Sequence, residues 1–371
     1  MPALTEDAWR LLFEARVDHT IGVEEELMLL DPETLDLIPE AERAVAAVAD
    51  VARVRTELPA SQVEIVTPVA ATIAEAAGHV LAIRRELAAA VAPWARLAGA
   101  GTHPFAAPRG PLSRLPRYVR LAEEFRWILD QQLVFGLHVH VGVRGADRAL
   151  AVCNALRSHL PVLAALAGNG PLHAGQDTGL SSLRPKLAEM LPRQGIPPAF
   201  AGLGDLVEYM TWGEAGGLFP EQDVWWEVRM HARFGTIEVR VPDAQTAPEE
   251  TAGVVAVVVG LVAWLCERYD AGEALRVHDI ARIAENRWRA LRHGLGAELL
   301  DLDSGEPRPA RQRVLELIEA VAPAATRLGG VAELEHARAL ARHNGAERQR
   351  AQAAEIGVHG VVERMVERFA P

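Results

Sequence analysis

The residues in this chain that could do chemistry gather on one side of a few short β-branched segments. In FGLHVHVGV (135–143) a period of two puts Leu137, Val139, Val141 and Val143 on one face. Gly136, His138, His140 and Gly142 fall on the other, where the glycines suit close approach of a ligand to the backbone. TIGVEEELMLL (20–30) sets Glu24 and Glu26 with Gly22 and Met28, against Val23, Leu27 and Leu29. Glu25 falls on the apolar side and is left out of the polar set. In QVEIVT, Glu64 opposes Val63 and Ile65; in TIEVRV, Glu238 and Arg240 oppose Ile237, Val239 and Val241. Any one of these glutamates alone reads best as a solvated strand residue. The repetition over four strands argues for a shared surface, and carboxylates gathered there repel unless a cation sits among them. Oxygen ligands dominate the set, which favours Mg²⁺ or Mn²⁺ over zinc.

Magnesium held by carboxylates most often bridges phosphates. The chain has no GxxxxGK[ST] loop, and its GNG (168–170) and GLG (202–204) lack the context of a dinucleotide fingerprint. A phosphate-bearing ligand would therefore be held by metals and by arginines, which clamp such groups bidentately. The candidates are Arg184 in GQDTGLSSLRPKL, Arg229 and Arg233 in WWEVRMHARFGTIEVR, and Arg240. His140 and Asp177 join them as substrate- or nucleotide-binding candidates. Arg84 and Arg85, on a helical stretch, are read as solvated. No convincing Ser–His–Asp or Cys–His arrangement stands out.

These strands need a scaffold, and long Ala/Leu/Arg/Glu stretches with helical spacing supply it. They run over 73–97, 117–133, 147–167, 248–269 and 277–294, with shorter ones to the C-terminus. A further strand is expected over 98–103. Strands and helices do not alternate strictly, so the expected architecture is α+β: an antiparallel or mixed sheet with helices on one side. With 371 residues, half of them hydrophobic, a large core is available, and no linker divides residues 1–371, which are read as one domain. The net charge of −12 argues against nucleic acid or an anionic membrane surface as the main partner. The start, MPALTEDAWRLLFEARVD, does not read as a signal peptide, and the apolar run 252–266 is short for a bilayer span. Cys153 and Cys266 read as buried thiols of a cytoplasmic protein. A homo-oligomer stays open.

The ordered motifs GVEEELMLLDPETL, VEIVTPV, GTHPFA, GLHVHVGV, DTGLSSLRPKLAEMLPRQGIPP, EVRMHARFGTIEVRVPDAQT, ENRWRALRHGLGAELLD and NGAERQR resemble the glutamate–cysteine ligase type 2, or carboxylate–amine ligase, family over residues 18–365. The resemblance implies a glutamine-synthetase-like catalytic domain, a curved, mainly antiparallel sheet that binds metals, ATP and an amino acid. It also implies a reaction: ATP phosphorylates the γ-carboxylate of L-glutamate, and the amine of L-cysteine attacks the acyl phosphate. The products would be γ-glutamylcysteine, ADP and phosphate, a step of glutathione-type thiol synthesis. Carried over by motif, Glu24, Glu26, Glu64, Glu238 and His138 are expected metal ligands, with Glu57 added because it falls seven residues before Glu64. Arg240, Glu238 and His138 are the expected catalytic group. Glu227 stands where family members commonly have aspartate.

Other readings compete. HxH on a strand with nearby acids also begins amidohydrolase zinc sites, where later metal-spaced His and Asp residues would be expected. A guanidino phosphotransferase would share the fold and stop at phosphoryl transfer, and an amino-acid sensor would not turn over at all.

Overall fold

The computed structural model describes residues 5–50, 52–215 and 224–370, so Met1–Leu4 of the N-terminal reading lie outside the described part. Among the described residues the main sheet has seven strands: β1 Ile21–Leu30, β2 Val54–Thr56, β3 Gln62–Val66, β4 Arg96–Ala98, β5 Leu137–Gly142, β6 Val228–His231 and β7 Thr236–Val239. Their order is β6-β7-β5-β1-β3-β2, with β4 alongside the far end of β1, and every pairing is antiparallel.

Alternation along each strand decides what lies behind the sheet. Val23, Leu27, Val63, Ile65, Leu137, Val139, Val141, Ile237 and Val239 are completely buried in one core with the helices. Removing such aliphatic surface from water is the main force seating the sheet. Helices Ile73–Val91, Ala146–Leu156 and Pro248–Asp270 cover this face. The last is apolar all round because it is the centre of the helical layer, with helices Ala310–Arg327 and Val331–Arg342 on its other side. It and the stretch 146–167 are long and apolar enough to cross a membrane by composition, yet 89% and 83% of their apolar windows are buried inside the protein.

Several sequence expectations change here. The expected strand 98–103 ends at Ala98, because the chain then runs against residues 243–246; a Cβ on Gly99 would lie 2.3 Å from the Gln245 carbonyl oxygen. The helix expected over 117–133 stops at Phe125, since Arg126 takes a positive φ of 46°, and a 3₁₀ segment Arg126–Gln131 follows. Helix Ile73–Val91 ends before Pro93, leaving residues 96–98 for β4. Strands β2 and β6 had no clear sequence signal; both are short.

Arg84, expected in solvent, is completely buried. It clamps Glu25 of β1 through Nε (2.8 Å) and Nη2 (2.6 Å) and donates to the carbonyls of Gln245, Thr246 and Phe369. Thr251 donates a further hydrogen bond to Glu25. The misplaced glutamate of the apolar face is thus neutralised by a helix that packs on it, and a buried charge persists only when paired in this way.

Candidate active site

The polar residues of β1, β3, β5 and β7 meet on the sheet face away from these helices, and register decides which touch. Glu24 of β1 lies opposite His138 of β5, Glu26 opposite Glu64 of β3, and His140 opposite Glu238 of β7. Ligand atoms of Glu24, His138 and Glu238 come within 4.8 Å of one another, as do those of Glu26, Glu64 and His138. One imidazole therefore stands between two carboxylate pairs. Gly136 makes this packing feasible: a Cβ there would lie 3.1 Å from His138 Nε2 and 3.2 Å from Glu26 Oε2. Gly142 serves another purpose, since its missing Cβ admits Thr20 and the Val17 carbonyl of the preceding loop.

Beside this face opens a cavity of about 400 Å³, lined among others by Glu24, Glu26, Glu57, Glu64, His138 and Arg240. Glu238 lies beneath its arginines at 1% exposure, receiving hydrogen bonds from Arg229 Nε (2.6 Å) and from Arg240 Nη1. Arg240 Nη1 is also 3.4 Å from His138 Nδ1. Glu24 faces both histidines, 3.6 Å from His138 Nδ1 and 3.5 Å from His140 Nε2. His140 itself contacts Thr236 at 3.0 Å and lies outside the cavity lining.

Charge is unevenly compensated across the face. Burial opposes ionisation of Glu24 and Glu238, but the histidines for the first, and Arg229 and Arg240 for the second, hold both well below the usual carboxylate range. Burial, aided by Arg240, depresses His138 to about 4, so the ring is neutral near pH 7 and able to act as a ligand. On the other side, burial and then the charge of Glu57 push Glu26 up to about 7, while burial and then Glu24 raise Glu64 well above its ordinary value. Two facing carboxylates without enough protein cation suit a hard divalent ion held by oxygen and one imidazole, so the donor set fits Mg²⁺ or Mn²⁺.

A stability test follows from Glu26 and Glu64. An acid whose folded pKa lies above its unfolded value binds more protons folded than unfolded, so the contribution of Glu26 to metal-free stability falls as pH rises from about 4.5 through about 7, with Glu64 acting in the same direction. A divalent cation replaces that proton and removes the penalty. The gain in Tm on replacing EDTA with Mn²⁺ is expected to be small at about pH 5.5 and large at about pH 8. Equal gains at both values contradict a cation between these acids.

Other candidates have different surroundings. Glu57 lines the cavity and accepts from the Tyr118 hydroxyl at 2.6 Å. Arg184, expected as an open clamp, spends Nε on Asp243 (3.0 Å) and Nη2 on the carbonyls of Arg240, Val241 and Pro242. It straps down the strand end that carries Arg240. Arg229 is likewise engaged by Glu238 and the Val224 carbonyl, whereas Arg233 is exposed on the β6–β7 turn, over the Phe234 ring and on the cavity wall. Asp177 lies outside the cavity lining, exposed and paired bidentately with Arg350 at 2.8 Å. Its carboxylate is already matched.

Sequence reading left out Arg287. Buried on helix Ile280–His293, it donates through Nε to both oxygens of the cavity-lining Glu227 (2.9 and 2.8 Å) and also pairs with Glu189. Sixty positions separate it from Glu227, and no local pattern could have joined them.

A structure of glutamate–cysteine ligase from Francisella tularensis in complex with AMP aligns with a TM-score of 0.69 over 95% of this chain and 89% of that one, at 12% identity. A bifunctional glutathione synthetase from Pasteurella multocida aligns with a TM-score of 0.65 over 98% of this chain and 54% of that one, at 14% identity. At such identities these matches establish a shared fold. In sequence, a Rubrobacter xylanophilus protein provisionally named glutamate–cysteine ligase 2-3 is 39% identical over 96% of this chain and 99% of its own length. One from Solibacter usitatus, provisionally named glutamate–cysteine ligase 2, is 33% identical over 97% of each chain. The model of glutamate-cysteine ligase family 2 matches residues 20–368, nearly the whole described chain, and the chain belongs to that family of carboxylate–amine ligases.

Proposed function

We propose that residues 1–371 act as one ATP-dependent ligase that joins the γ-carboxylate of L-glutamate to an amine such as L-cysteine, through an acyl phosphate. The observation that carries this reading is the pair of carboxylate sets around His138, with the Arg240 guanidinium between Glu238 and that imidazole. A carboxylate is a poor electrophile, and phosphorylation by ATP makes it a good one. The residues that would hold Mg²⁺ or Mn²⁺ are Glu24, Glu238 and His138 on one side and Glu26, Glu64 and His138 on the other, with Glu57 close by. Such a cation, when bound, offsets the charge of triphosphate and carboxylate and stabilises the transferring phosphoryl group. Arg240, braced by Glu238 and by its backbone N–H on the Glu227 carbonyl (2.7 Å), offers a preorganised cation to the same group. Arg229 keeps Glu238 ionised and in place, and Arg184 fixes the strand end behind it. Arg233, exposed on the wall, is available to a substrate carboxylate or phosphate. We place the reaction in the cytoplasm, supported by two buried, unpaired cysteines.

The donor sets weigh against the hydrolase reading. Each contains a single imidazole with two carboxylates, whereas zinc hydrolase sites draw more heavily on histidine. The deciding experiment measures ADP release with glutamate and a panel of amines, with and without Mg²⁺. Release is expected only with both substrates and the cation present, accompanied by a γ-glutamyl amide product. Amide hydrolysis with zinc and no nucleotide, or phosphorylation of a guanidino compound without glutamate, would replace this reading.

A further inference from the structure

Glu57 differs from the other cavity carboxylates in how it is held. Its Oε2 accepts two hydrogen bonds, from the Tyr118 hydroxyl at 2.6 Å and from the Leu58 backbone N–H at 3.2 Å. Glu57 is absent from both metal-competent sets, yet it shares the cavity wall with Glu26 and Glu64. Tyr118 belongs to helix Pro116–Phe125, outside the sheet, and is 5% exposed.

The hydroxyl is not needed to dock that helix. Residues 111–113 are stitched to the Glu57 loop by backbone bonds from Ser113 N–H to the Leu58 carbonyl (2.8 Å) and from Ala60 N–H to the Pro111 carbonyl (2.9 Å). The Tyr118 ring, Leu121, Leu129 and Leu191 form a separate apolar cluster against Leu58 and Leu112. With backbone and ring already fixing the segment, the one polar reach of Tyr118 into the cavity is its bond to a carboxylate. A donor that engages an ionised acceptor is worth more than a neutral pair and fixes its orientation.

We infer that Tyr118 is a positioning residue: its hydroxyl holds the Glu57 carboxylate in one orientation at the Glu26–Glu64 end of the cavity, so that Glu57 adds its charge to a divalent cation held there. This inference rests on the cation-dependent reading proposed above and adds to it a residue from outside the sheet.

The test is Mn²⁺ binding by the full chain, followed through the electron paramagnetic resonance signal of free Mn²⁺. Tyr118→Phe removes only the hydroxyl and should weaken binding roughly tenfold, the worth of one hydrogen bond to a charged group. Glu57→Gln should weaken it at least as much, and the double variant no further than Glu57→Gln alone, because Tyr118 acts through Glu57. The Tm of Tyr118→Phe in EDTA should stay close to that of the parent. Parental Mn²⁺ binding by Tyr118→Phe, or losses that multiply in the double variant, overturns the inference and leaves the ligase reading standing. Absence of Mn²⁺ binding by the unsubstituted chain overturns both.

Discussion

Arg240→Lys is expected to lower kcat by roughly 10²–10³, on the order of 3–4 kcal/mol of transition-state stabilisation, although the charge is kept. Arg240 directs one nitrogen, Nη1, at Glu238 and His138, and the residue lines the cavity. A guanidinium in that position can touch two phosphoryl oxygens at once, whereas an ammonium is a single mobile point charge. On the proposed mechanism this contact would strengthen as charge builds on the transferring group, so the loss should fall on kcat with ATP affinity little changed. The competing account makes Arg240 only a tie for Glu238. That account expects lysine to restore turnover, and it expects Arg240→Ala to lose Tm together with activity. Measuring kcat, ATP affinity and Tm for both variants separates the two, and near-normal turnover in Arg240→Lys removes Arg240 from the chemistry.

Arg84→Met should be among the most destabilising single substitutions in the protein, costing roughly 3–5 kcal/mol. Both partners of the Arg84–Glu25 pair are fully buried, and the guanidinium also satisfies three backbone carbonyls. Removing it strands a carboxylate beneath the sheet and leaves those carbonyls without a donor. The control is the double variant Arg84→Met, Glu25→Gln, which removes the stranded charge and should recover part of the loss. Urea denaturation at neutral pH reads both values. A loss under about 1 kcal/mol for Arg84→Met would show that the pair is solvated, as surface pairs of that worth are.

These two arginines mark how far sequence reading reaches. Arg240 was legible because it lies two residues after Glu238, and in a strand that spacing alone puts both side chains on one face. The same local rule exposed the polar faces of β1, β3, β5 and β7 and the aliphatic faces behind them. Arg84 followed the local rules too, on a polar stretch of helix, and they pointed the wrong way. Its burial depends on Glu25, 59 positions earlier, and on carbonyls more than 160 positions later.

The site divides along the same line. Alternation along each strand, a property of neighbouring residues, determined from sequence that Glu24, Glu26, Glu64, His138 and Glu238 face the same way within their strands. Strand order and register decided that His138 stands between two carboxylate pairs, and register is set by burial of whole faces and by distant loops. Tertiary packing also decided which acceptor each arginine meets. Arg184 meets the Asp243 carboxylate and straps a strand end, Arg229 meets Glu238, and Arg233 stays open on its turn. Identical side chains take different parts because a guanidinium's role is fixed by the acceptor it meets, and that acceptor is brought to it by the fold.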